Sequence, residues 1–301
     1  MHGILPLWKP KGMTSHDCVV KIRKLLGTKK VGHAGTLDPE VPGVLVICVG
    51  QATKIVPYLT DMPKTYEVTC ALGIATETED AYGDIIAETT IDEPPSLDAI
   101  KHVLRQFIGD IKQTPPMYSA VRVRGKRLYE YARENIPVER PTRQVTIHDI
   151  SNLTQNENQP HQFHTTVTCS KGTFMRTLCV DIGKHLGYPA HMASLIRTKA
   201  SSFTSEEAVE FIQVEKAVKC GQVNSLLYPL SRGLAHLDQW IVDDQVKRNV
   251  LHGQKLPRPK KTLTTDPFVI AHGDQALAIY QIHPENDEQI KPVRVFLSDE
   301  M

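Results

Sequence analysis

The fold is decided by two neighbouring stretches, Gly32–Pro39 (GHAGTLDP) and Gly43–Gly50 (GVLVICVG). The first sets one carboxylate, Asp38, in a loop of small residues, and the second is an apolar run that predicts a buried strand. Glycines at 32, 35 and 43 allow tight turns and a close approach of the backbone to a ligand, while Pro39 keeps Asp38 out of helical geometry. Asp-Pro alone is an ordinary turn signal, so any function of Asp38 depends on the rest of the chain.

The composition places few limits on function. The chain has 301 residues, 41% of them hydrophobic, with 35 Lys and Arg against 34 Asp and Glu. This length suffices for one large and one small domain, and any surface for nucleic acid must come from local clusters of charge. The six cysteines form no CxxC pair and predict reduced core residues of a cytosolic protein. Without an N-terminal hydrophobic signal or a spanning apolar run, we expect a cytoplasmic protein that does not bind membranes.

Periodicity predicts alternating strands and helices in the first 237 residues. The predicted strands cover 4–8, 44–49, 66–72, 143–153 and 163–169, and the predicted helices cover 17–26, 97–107, 174–186 and 206–218. Ser15 and Ser96 are the predicted caps of the first two helices, and the Gln/Asn-rich stretch 154–162 is predicted to be an exposed connection. Because no regular βαβ repeat is present, the pattern favours an α+β fold with a mixed sheet.

The pattern changes near Leu237. A short helix is predicted over 246–251, and short apolar strands over 268–270, 276–282 and 293–297 are separated by Gly, Pro, Asn and Asp. Such spacing indicates a small β-rich module. The sequence therefore predicts two domains, 1–237 and 238–301, and leaves open whether the second is only a stabilising appendage.

Five further motifs follow the order of a known family. They are LWKPKGMTS (7–15), KTYEVTCALG (64–73), PPMYSA with GKRLYEYAR (115–120 and 125–133), SKGTFMRTL (170–178) and HMASLIRT (191–198). Together with the Asp38 loop, they resemble the signatures of the TruB family of pseudouridine synthases, which isomerise uridine 55 in the T loop of tRNA. The resemblance covers nearly the whole chain, and six motifs in the same order make it specific.

The resemblance implies a domain architecture and a main partner. Residues 1–237 would form a pseudouridine synthase catalytic domain with a mixed, largely antiparallel sheet, and 115–134 would be its RNA-gripping segment. Residues 238–301 would form a PUA-like RNA-binding domain that touches the acceptor end of tRNA.

Pseudouridine formation explains why a carboxylate is needed. The reaction breaks the N1–C1′ glycosidic bond, turns the base in place and joins C5 to C1′, so neither a metal nor a cofactor is expected. A carboxylate can attack C1′ or take a proton from C2′, and in both cases it must start ionised in a site largely closed to water. The resemblance implies that Asp38 is this catalytic carboxylate and that Arg176 pairs with it. A guanidinium offers a carboxylate a planar fork that Lys cannot imitate.

The resemblance also implies residues that hold the flipped nucleotide. Tyr66 would stack on the base and serve its proton chemistry through the phenol, and Leu195 would press on the opposite side. A base stacked on an aromatic ring gains about 1–3 kcal/mol, which offsets much of the unstacking cost. His33 would fill the gap that the nucleotide leaves in the T loop.

Other residues are expected to bind the substrate. Gly35 and Thr36 belong to the Asp38 loop, while Lys9 and Pro10 are expected to shape the pocket wall and the approach of phosphates. The RNA-gripping segment supplies positive charges and aromatic faces, a combination that suits a folded RNA loop; its substrate-binding residues would be Arg122, Arg124, Lys126 and Tyr129. Asn135 stands where many family members have Gly and is expected in a left-handed helix cap.

Other classes of function stay open. A non-enzymatic RNA-binding protein could keep the basic segment but has no need of Asp38, Tyr66 and Arg176 together. A guide-RNA-dependent synthase would share the catalytic motifs but generally carries an N-terminal extension, so a stand-alone, monomeric enzyme without guide RNA is expected. A hydrolytic base-removing enzyme is the most distant alternative. His161 and His164 have no third ligand at metal spacing, so no metal is expected.

Overall fold

The computed structural model describes residues 1–296, except for the side chain of Asn156. The strands are β1 Gly3–Lys9, β2 Val31–Ala34, β3 Gly43–Val49, β4 Lys64–Leu72, β5 Ile74–Thr76, β6 Ile85–Glu88, β7 Gly109–Gln113, β8 Arg122–Val123, β9 Lys126–Arg127, β10 Arg143–Asn156, β11 Gln159–Cys169, β12 Ala190–Ala200, β13 Phe203–Thr204, β14 Gln239–Ile241, β15 Leu256–Pro257, β16 Phe268–His272, β17 Gln275–His283 and β18 Asn286–Val295. The α-helices are α1 Ser15–Leu26, α2 Val56–Asp61, α3 Leu97–Gln106, α4 Leu128–Arg133, α5 Met175–Leu186, α6 Phe211–Lys219, α7 Leu230–Gly233 and α8 Asp244–Leu251. The predicted α+β class is confirmed.

A nine-stranded sheet organises the first part of the chain. Its order is β1-β3-β12-β4-β11-β10-β7, with β2 added to β3 and β13 added to β12. All pairs are antiparallel except β3 and β12, which meet in parallel at Gly43 and Arg197. The predicted mixed, largely antiparallel sheet is therefore confirmed. Strand β3 is buried along its whole length, as its unbroken apolar run predicts.

Helices cover the sheet and close its cores. Helices α3 and α5 bury apolar residues against β4, β10 and β11, and α1 and α6 form a separate cluster with β1 and β3. Helix α1 begins at a capping box in which Thr14 and Asp17 satisfy each other's backbone N–H groups. The expected cap, Ser15, is wrong by one residue.

Two other predicted boundaries are wrong. The stretch 154–162 is not a loose connection, because β10 and β11 continue as one antiparallel hairpin in which Asn156 pairs with Gln159. Because the side chains of this stretch are polar, hydrophobic periodicity does not reveal the strands. The predicted helix 206–218 is instead a 3₁₀ turn, Ser205–Glu207, followed by α6, because Gln213 caps the Glu210 N–H and starts a new helix.

The C-terminal residues form a second sheet. Its order is β14-β16-β17-β18-β15, with α8 packed on it, and the predicted strand residue Leu297 lies outside the described residues. This module shares a core with the first part of the chain, in which its apolar residues meet those of the segment 52–59 and of α7. The module contributes Val269, Ala271, Ile279 and Phe296 to this shared core. In the described part of the chain, no helix is long and apolar enough to cross a membrane.

Candidate active site

A cavity of about 480 Å³ opens where the Asp38 loop, β4, β12 and the start of α5 meet. It brings together seven of the predicted site residues: Gly35, Thr36, Asp38, Tyr66, Arg122, Arg176 and Leu195. Its cationic lining residues are Lys64, Arg122, Arg143, Lys171, Arg176 and Arg197, and among the described lining residues Asp38 is the one carboxylate. This excess of positive charge favours a polyanionic ligand.

The ion pair that the motifs imply between Asp38 and Arg176 is present in the structure. Helix α5 follows β11 directly, so its first turn places Arg176 at the cavity, where Nη2 lies 2.9 Å from Oδ2 of Asp38. The Arg176 side chain is 6% exposed, whereas that of Asp38 is 45% exposed. The protein alone therefore does not close the site to water at Asp38, contrary to expectation.

Backbone carbonyls fix the direction of the Arg176 guanidinium. Nη1 donates to the carbonyls of Thr78 and Tyr118, each at 3.1 Å, and Nη2 also donates to Tyr118. The Asp80 carboxylate lies 4.0 Å from Nη1. Arg176 is thus oriented by the segments that contain Thr78 and Tyr118. Its Nη2 atom also contacts Asp38. The sequence analysis identified none of these three supports.

The loop that carries Asp38 is held by its own backbone. The Ser15 hydroxyl accepts from the Leu37 N–H at 2.9 Å and donates to the Leu37 carbonyl at 3.2 Å. Lys9 Nζ donates to Pro39 O at 2.8 Å and also to the carbonyls of Pro10 and Met13. These contacts fix the backbone on both sides of Asp38, which faces the cavity together with Gly35, Thr36 and Leu37.

The role expected for Lys9 is wrong in this structure. Its side chain is fully buried and its ammonium is satisfied by three carbonyls, so it is not placed to meet a phosphate. Burial lowers the pKa of Lys9 from its ordinary value. Pro10 is half-buried beside it and does not line the cavity. Both residues support the loop rather than the ligand.

Arg197 is the main structural residue that the sequence analysis missed. It is 1% exposed, and its guanidinium donates to the carbonyls of Val44, Thr36 and Gly35 at 2.8, 3.3 and 3.0 Å. Gly43 permits this arrangement, because a Cβ there would lie 2.3 Å from the Arg197 carbonyl oxygen. The motif at 191–198 was interpreted through Leu195 alone, although a charged residue inside an apolar strand was the available signal.

Tyr66 and Leu195 form the apolar part of the cavity. Both lie on paired strands: Tyr66 is opposite Arg197, and Leu195 is opposite Val68. Tyr66 is 9% exposed, and burial raises the pKa of its phenol, an effect that the nearby Arg197 opposes. The phenol therefore stays protonated at neutral pH. Phe174, also at the cavity, was not predicted.

Two other titratable groups lie near this loop. Burial, aided by Arg197, lowers the pKa of Lys64 to about 8, and its ammonium donates to the carbonyls of Thr60 and Met62. His33 lies on β2, half-buried and outside the cavity lining, and burial followed by Arg197 lowers its pKa. His33 is therefore neutral at physiological pH.

The RNA-gripping segment forms a small hairpin and helix beside the cavity. Arg124 lies exposed at the hairpin turn with φ of 50°, and Asn135 takes the expected left-handed conformation at 53°. Lys126 forms an ion pair with Glu134, and the ring of Tyr129 lies under Arg133 at 5.3 Å. Within the segment, Arg122 reaches the cavity lining, whereas Arg124, Lys126 and Tyr129 do not.

Histidines and acidic residues do not gather into a metal site in the part of the chain that the structure describes. His164 is instead paired through Nδ1 with the Thr69 hydroxyl at 2.7 Å. All six cysteines are free, five of them buried and Cys220 exposed.

The family models and relatives that match this chain are those of pseudouridine synthases. The model of the TruB family pseudouridylate synthase N-terminal domain matches residues 23–175, and that of the tRNA pseudouridylate synthase B C-terminal domain matches residues 176–237. The chain belongs to the TruB family.

Curated relatives match over their full length. A tRNA pseudouridine synthase B of Oceanobacillus iheyensis is 55% identical, with 98% of each chain covered. The same enzyme of Geobacillus thermodenitrificans is 50% identical over 98% of this chain and 100% of its own, and that of Bacillus subtilis is 47% identical over 99% and 98%.

Solved structures share the fold at lower identity. An H/ACA ribonucleoprotein bound to a substrate RNA containing 2′-deoxyuridine includes a chain with TM-score 0.75 and 23% identity, covering 99% of this chain and 86% of its own. A Cbf5-Nop10-Gar1 complex gives TM-score 0.73 and 26% identity, covering 99% and 84%.

Proposed function

We propose that this protein converts the T-loop uridine of tRNA, position 55, to pseudouridine, with Asp38 as the catalytic carboxylate. The observation that carries the proposal is the ion pair between Asp38 and Arg176 at the mouth of a cationic cavity. Full-length identity to enzymes named tRNA pseudouridine synthase B supports tRNA as the substrate class.

Asp38 performs the first chemical step. In one route its carboxylate attacks C1′, and the uracil leaves with the electrons of the N1–C1′ bond. In the other route the carboxylate removes the C2′ proton, and the uracil leaves in the same way. The uracil turns and C5 bonds to C1′; in the first route this breaks the Asp38–C1′ bond, and in the second Asp38 returns the proton to C2′. The C5 proton then leaves and N1 ends protonated, so the product is an isomer. Arg176 pairs with the Asp38 carboxylate through a charge-assisted hydrogen bond and so orients Oδ2 at the cavity.

The apolar walls hold the free base during its turn. Tyr66 and Leu195 lie on neighbouring paired strands, which supports a slot with an aromatic face on one side and an aliphatic face on the other. Tyr66 stacks on the base through its ring, and its phenol, whose pKa is raised by burial, serves the proton chemistry of the base. The RNA itself covers the exposed side of Asp38 and excludes water there.

Other RNA contacts surround the cavity. Neutral His33 fills the space that the extracted nucleotide leaves, and Gly35 and Thr36 present their backbone to it. Arg122, Arg124, Lys126 and Tyr129 grip the T arm, and the C-terminal module contacts the acceptor end in the manner of a PUA domain. By likeness to relatives named tRNA pseudouridine synthase B, the proposal includes an enzyme that acts without guide RNA, as a monomer in the cytoplasm and without a metal or cofactor.

Position mapping of pseudouridine tests the substrate. Purified protein is incubated with an unmodified tRNA transcript and no cofactor, and the modified position is mapped. Pseudouridine at position 55 alone supports the proposal, and product at a position outside the T loop overturns the specificity.

A substitution at Asp38 tests the chemistry. Asp38→Asn keeps the shape of the side chain but can neither attack C1′ nor take the C2′ proton at a useful rate, so tRNA binds while conversion stops. The measurement is single-turnover conversion with enzyme in excess, which removes product release. Conversion at about a tenth of the parent rate or faster would show that Asp38 is not the catalytic carboxylate.

A further inference from the structure

The turn 76–80, which contacts Arg176, is held in a strained conformation by several hydrogen bonds. Glu79 has φ of 64°, a left-handed conformation that is unusual for a residue other than Gly. The Thr78 hydroxyl donates to the Asp80 carboxylate, and the Thr76 hydroxyl donates to the Asp80 carbonyl. This turn carries the Thr78 carbonyl and the Asp80 carboxylate that face Arg176. A non-glycine residue kept in such a conformation points to a functional constraint.

The Glu79 side chain contacts two other segments of the chain and is linked through Arg140 to a third. Its Oε2 accepts from the Thr177 hydroxyl at 3.0 Å, next to Arg176 on α5. Its Oε1 lies 3.8 Å from Arg140 Nη1, and the same Nη1 donates to Pro115 O at 3.0 Å. Pro115 and Arg140 stand on the two chain segments through which the RNA-gripping segment 115–134 leaves and returns. We call these four residues, Glu79, Pro115, Arg140 and Thr177, the root cluster.

The beginning of the RNA-gripping segment also contacts the guanidinium of Arg176. The Tyr118 carbonyl, at the beginning of the RNA-gripping segment, accepts from both Nη atoms of Arg176. The Tyr118 hydroxyl donates to Glu77 Oε1 at 2.8 Å, which ties this part of the segment to the turn that precedes Glu79. A movement of the root cluster would therefore displace the Thr78 and Tyr118 carbonyls, which both accept from the Arg176 guanidinium.

We propose that the Glu79–Arg140 pair is a positioning element that couples the seating of the RNA-gripping segment to the geometry of Arg176 and Asp38. The inference rests on the proposed function of Asp38. When the segment is seated on RNA, Arg140 and Pro115 hold the turn so that the Thr78 and Tyr118 carbonyls aim Arg176 at Asp38. Small misplacements of such groups lower rates strongly, because the reacting atoms must be aligned before chemistry begins.

The Glu79 carboxylate faces Arg140 from the returning segment and Arg176, Thr177 and Asp181 from α5. Burial raises the pKa of Glu79, the Thr177 hydrogen bond and the two cations oppose this rise, and Asp181 adds to it. Replacing the carboxylate by an amide therefore removes a burial cost together with the attraction of Arg140, so the replacement is not expected to lower stability.

Three variants test the coupling. Glu79→Gln keeps an oxygen for Thr177 but removes the charge that attracts Arg140, and Arg140→Gln removes the other partner. We expect each to slow single-turnover conversion of tRNA about tenfold, with the tRNA Kd within about twofold of the parent. The double variant should be no slower than either single one, because both remove the same interaction. The thermal midpoint of Glu79→Gln should equal or exceed that of the parent.

Controls separate this inference from the proposed function. Glu88→Gln changes an exposed carboxylate on the same hairpin and should convert tRNA at the parent rate. Conversion by Glu79→Gln within twofold of the parent overturns the inference, as does a parallel loss of affinity, or a fall in thermal midpoint that accompanies the slower rate. Asp38→Asn is measured alongside: if it stays active, the proposed function fails, whereas an inactive Asp38→Asn with an unchanged Glu79→Gln overturns the coupling alone.

Discussion

Lys9 and Arg197 hold opposite ends of the loop that carries Asp38. Lys9 Nζ donates to Pro39 O at 2.8 Å, and Arg197 Nη2 donates to Gly35 O at 3.0 Å. Both cations are almost completely buried, and the contacts just described use backbone carbonyls rather than carboxylates. The loop that carries Asp38 is therefore held at both ends by buried cations that donate to its backbone.

We predict that Arg197→Lys weakens both the fold and the catalysis. Arg197 reaches the carbonyls of Val44, Thr36 and Gly35 with three separate nitrogens, and the single nitrogen of the shorter lysine cannot stand at all three places. Each buried acceptor left unpaired costs about 1–3 kcal/mol. The free energy of unfolding in urea should fall by about 2 kcal/mol or more, and single-turnover conversion by at least about tenfold. Lys199→Arg, on an exposed position of the same strand, is the control. An Arg197→Lys variant with parent stability would contradict this support of the loop.

The sequence predicted the pairing of Asp38 with Arg176 better than it predicted the scaffold that holds the two residues. Asp38 and Arg176 could be paired because their motifs carry recognisable residue types in order. Lys9 was misassigned since a Lys-Pro-Lys-Gly stretch is exposed by default, and only the folded chain brings the Pro39 carbonyl to it. The supports of Arg176 were missed for a similar reason.

Two of the groups that orient Arg176 are the backbone carbonyls of Thr78 and Tyr118, and no residue type in a sequence marks a backbone carbonyl. Thr78 and Tyr118 contribute through peptide groups that any residue possesses, across 98 and 58 positions of the chain. The extended hairpin of β10 and β11 was missed because its polar residues do not alternate with apolar ones. The contacts that the sequence did not predict either join residues far apart in the chain or are made by backbone groups.

We predict a pH-dependent stability contribution from Lys64. Its folded-state pKa is about 8, below the ordinary 10.5, so between these values the unfolded chain binds more protons than the folded one. Stability of the parent should therefore rise with pH through this window relative to Lys64→Met, by at most about 1.4 kcal/mol per pH unit. Urea unfolding of both proteins at pH 7 and pH 10 measures the difference. Lys171→Met, an exposed cation at the same cavity, should show no such trend.

We predict that Arg124 and Lys126 differ in their share of RNA binding. Arg124 is exposed at the hairpin turn, whereas Lys126 is already paired with Glu134. Arg124→Gln should reduce the slope of log Kd against log salt by about 0.7–0.9, the effect of one phosphate contact, and Lys126→Gln by less. Glu134→Gln should tighten tRNA binding at low salt by freeing Lys126. Equal slopes in the parent and Arg124→Gln would place the phosphate contacts elsewhere.

The last prediction concerns the C-terminal module. Deleting it would expose the shared core around Ile279 and Phe296, so loss of affinity in a truncated chain could simply reflect loss of folding. Surface substitutions avoid this problem. The pair Lys255→Gln and Lys260→Gln changes two exposed cations of the module and leaves its core intact.

If the module contacts the acceptor end, this double variant should bind full-length tRNA more weakly and with a salt slope lower by about 1.4–1.8, since two phosphate contacts are lost. An isolated T-arm stem-loop lacks the acceptor end, so its Kd and its single-turnover rate should stay at parent values. Lys101→Gln with Lys112→Gln, two exposed cations on α3 and β7, is the matched control. Equal weakening for both RNAs would place these lysines at the T arm, and no weakening for either would leave the module with a structural role alone.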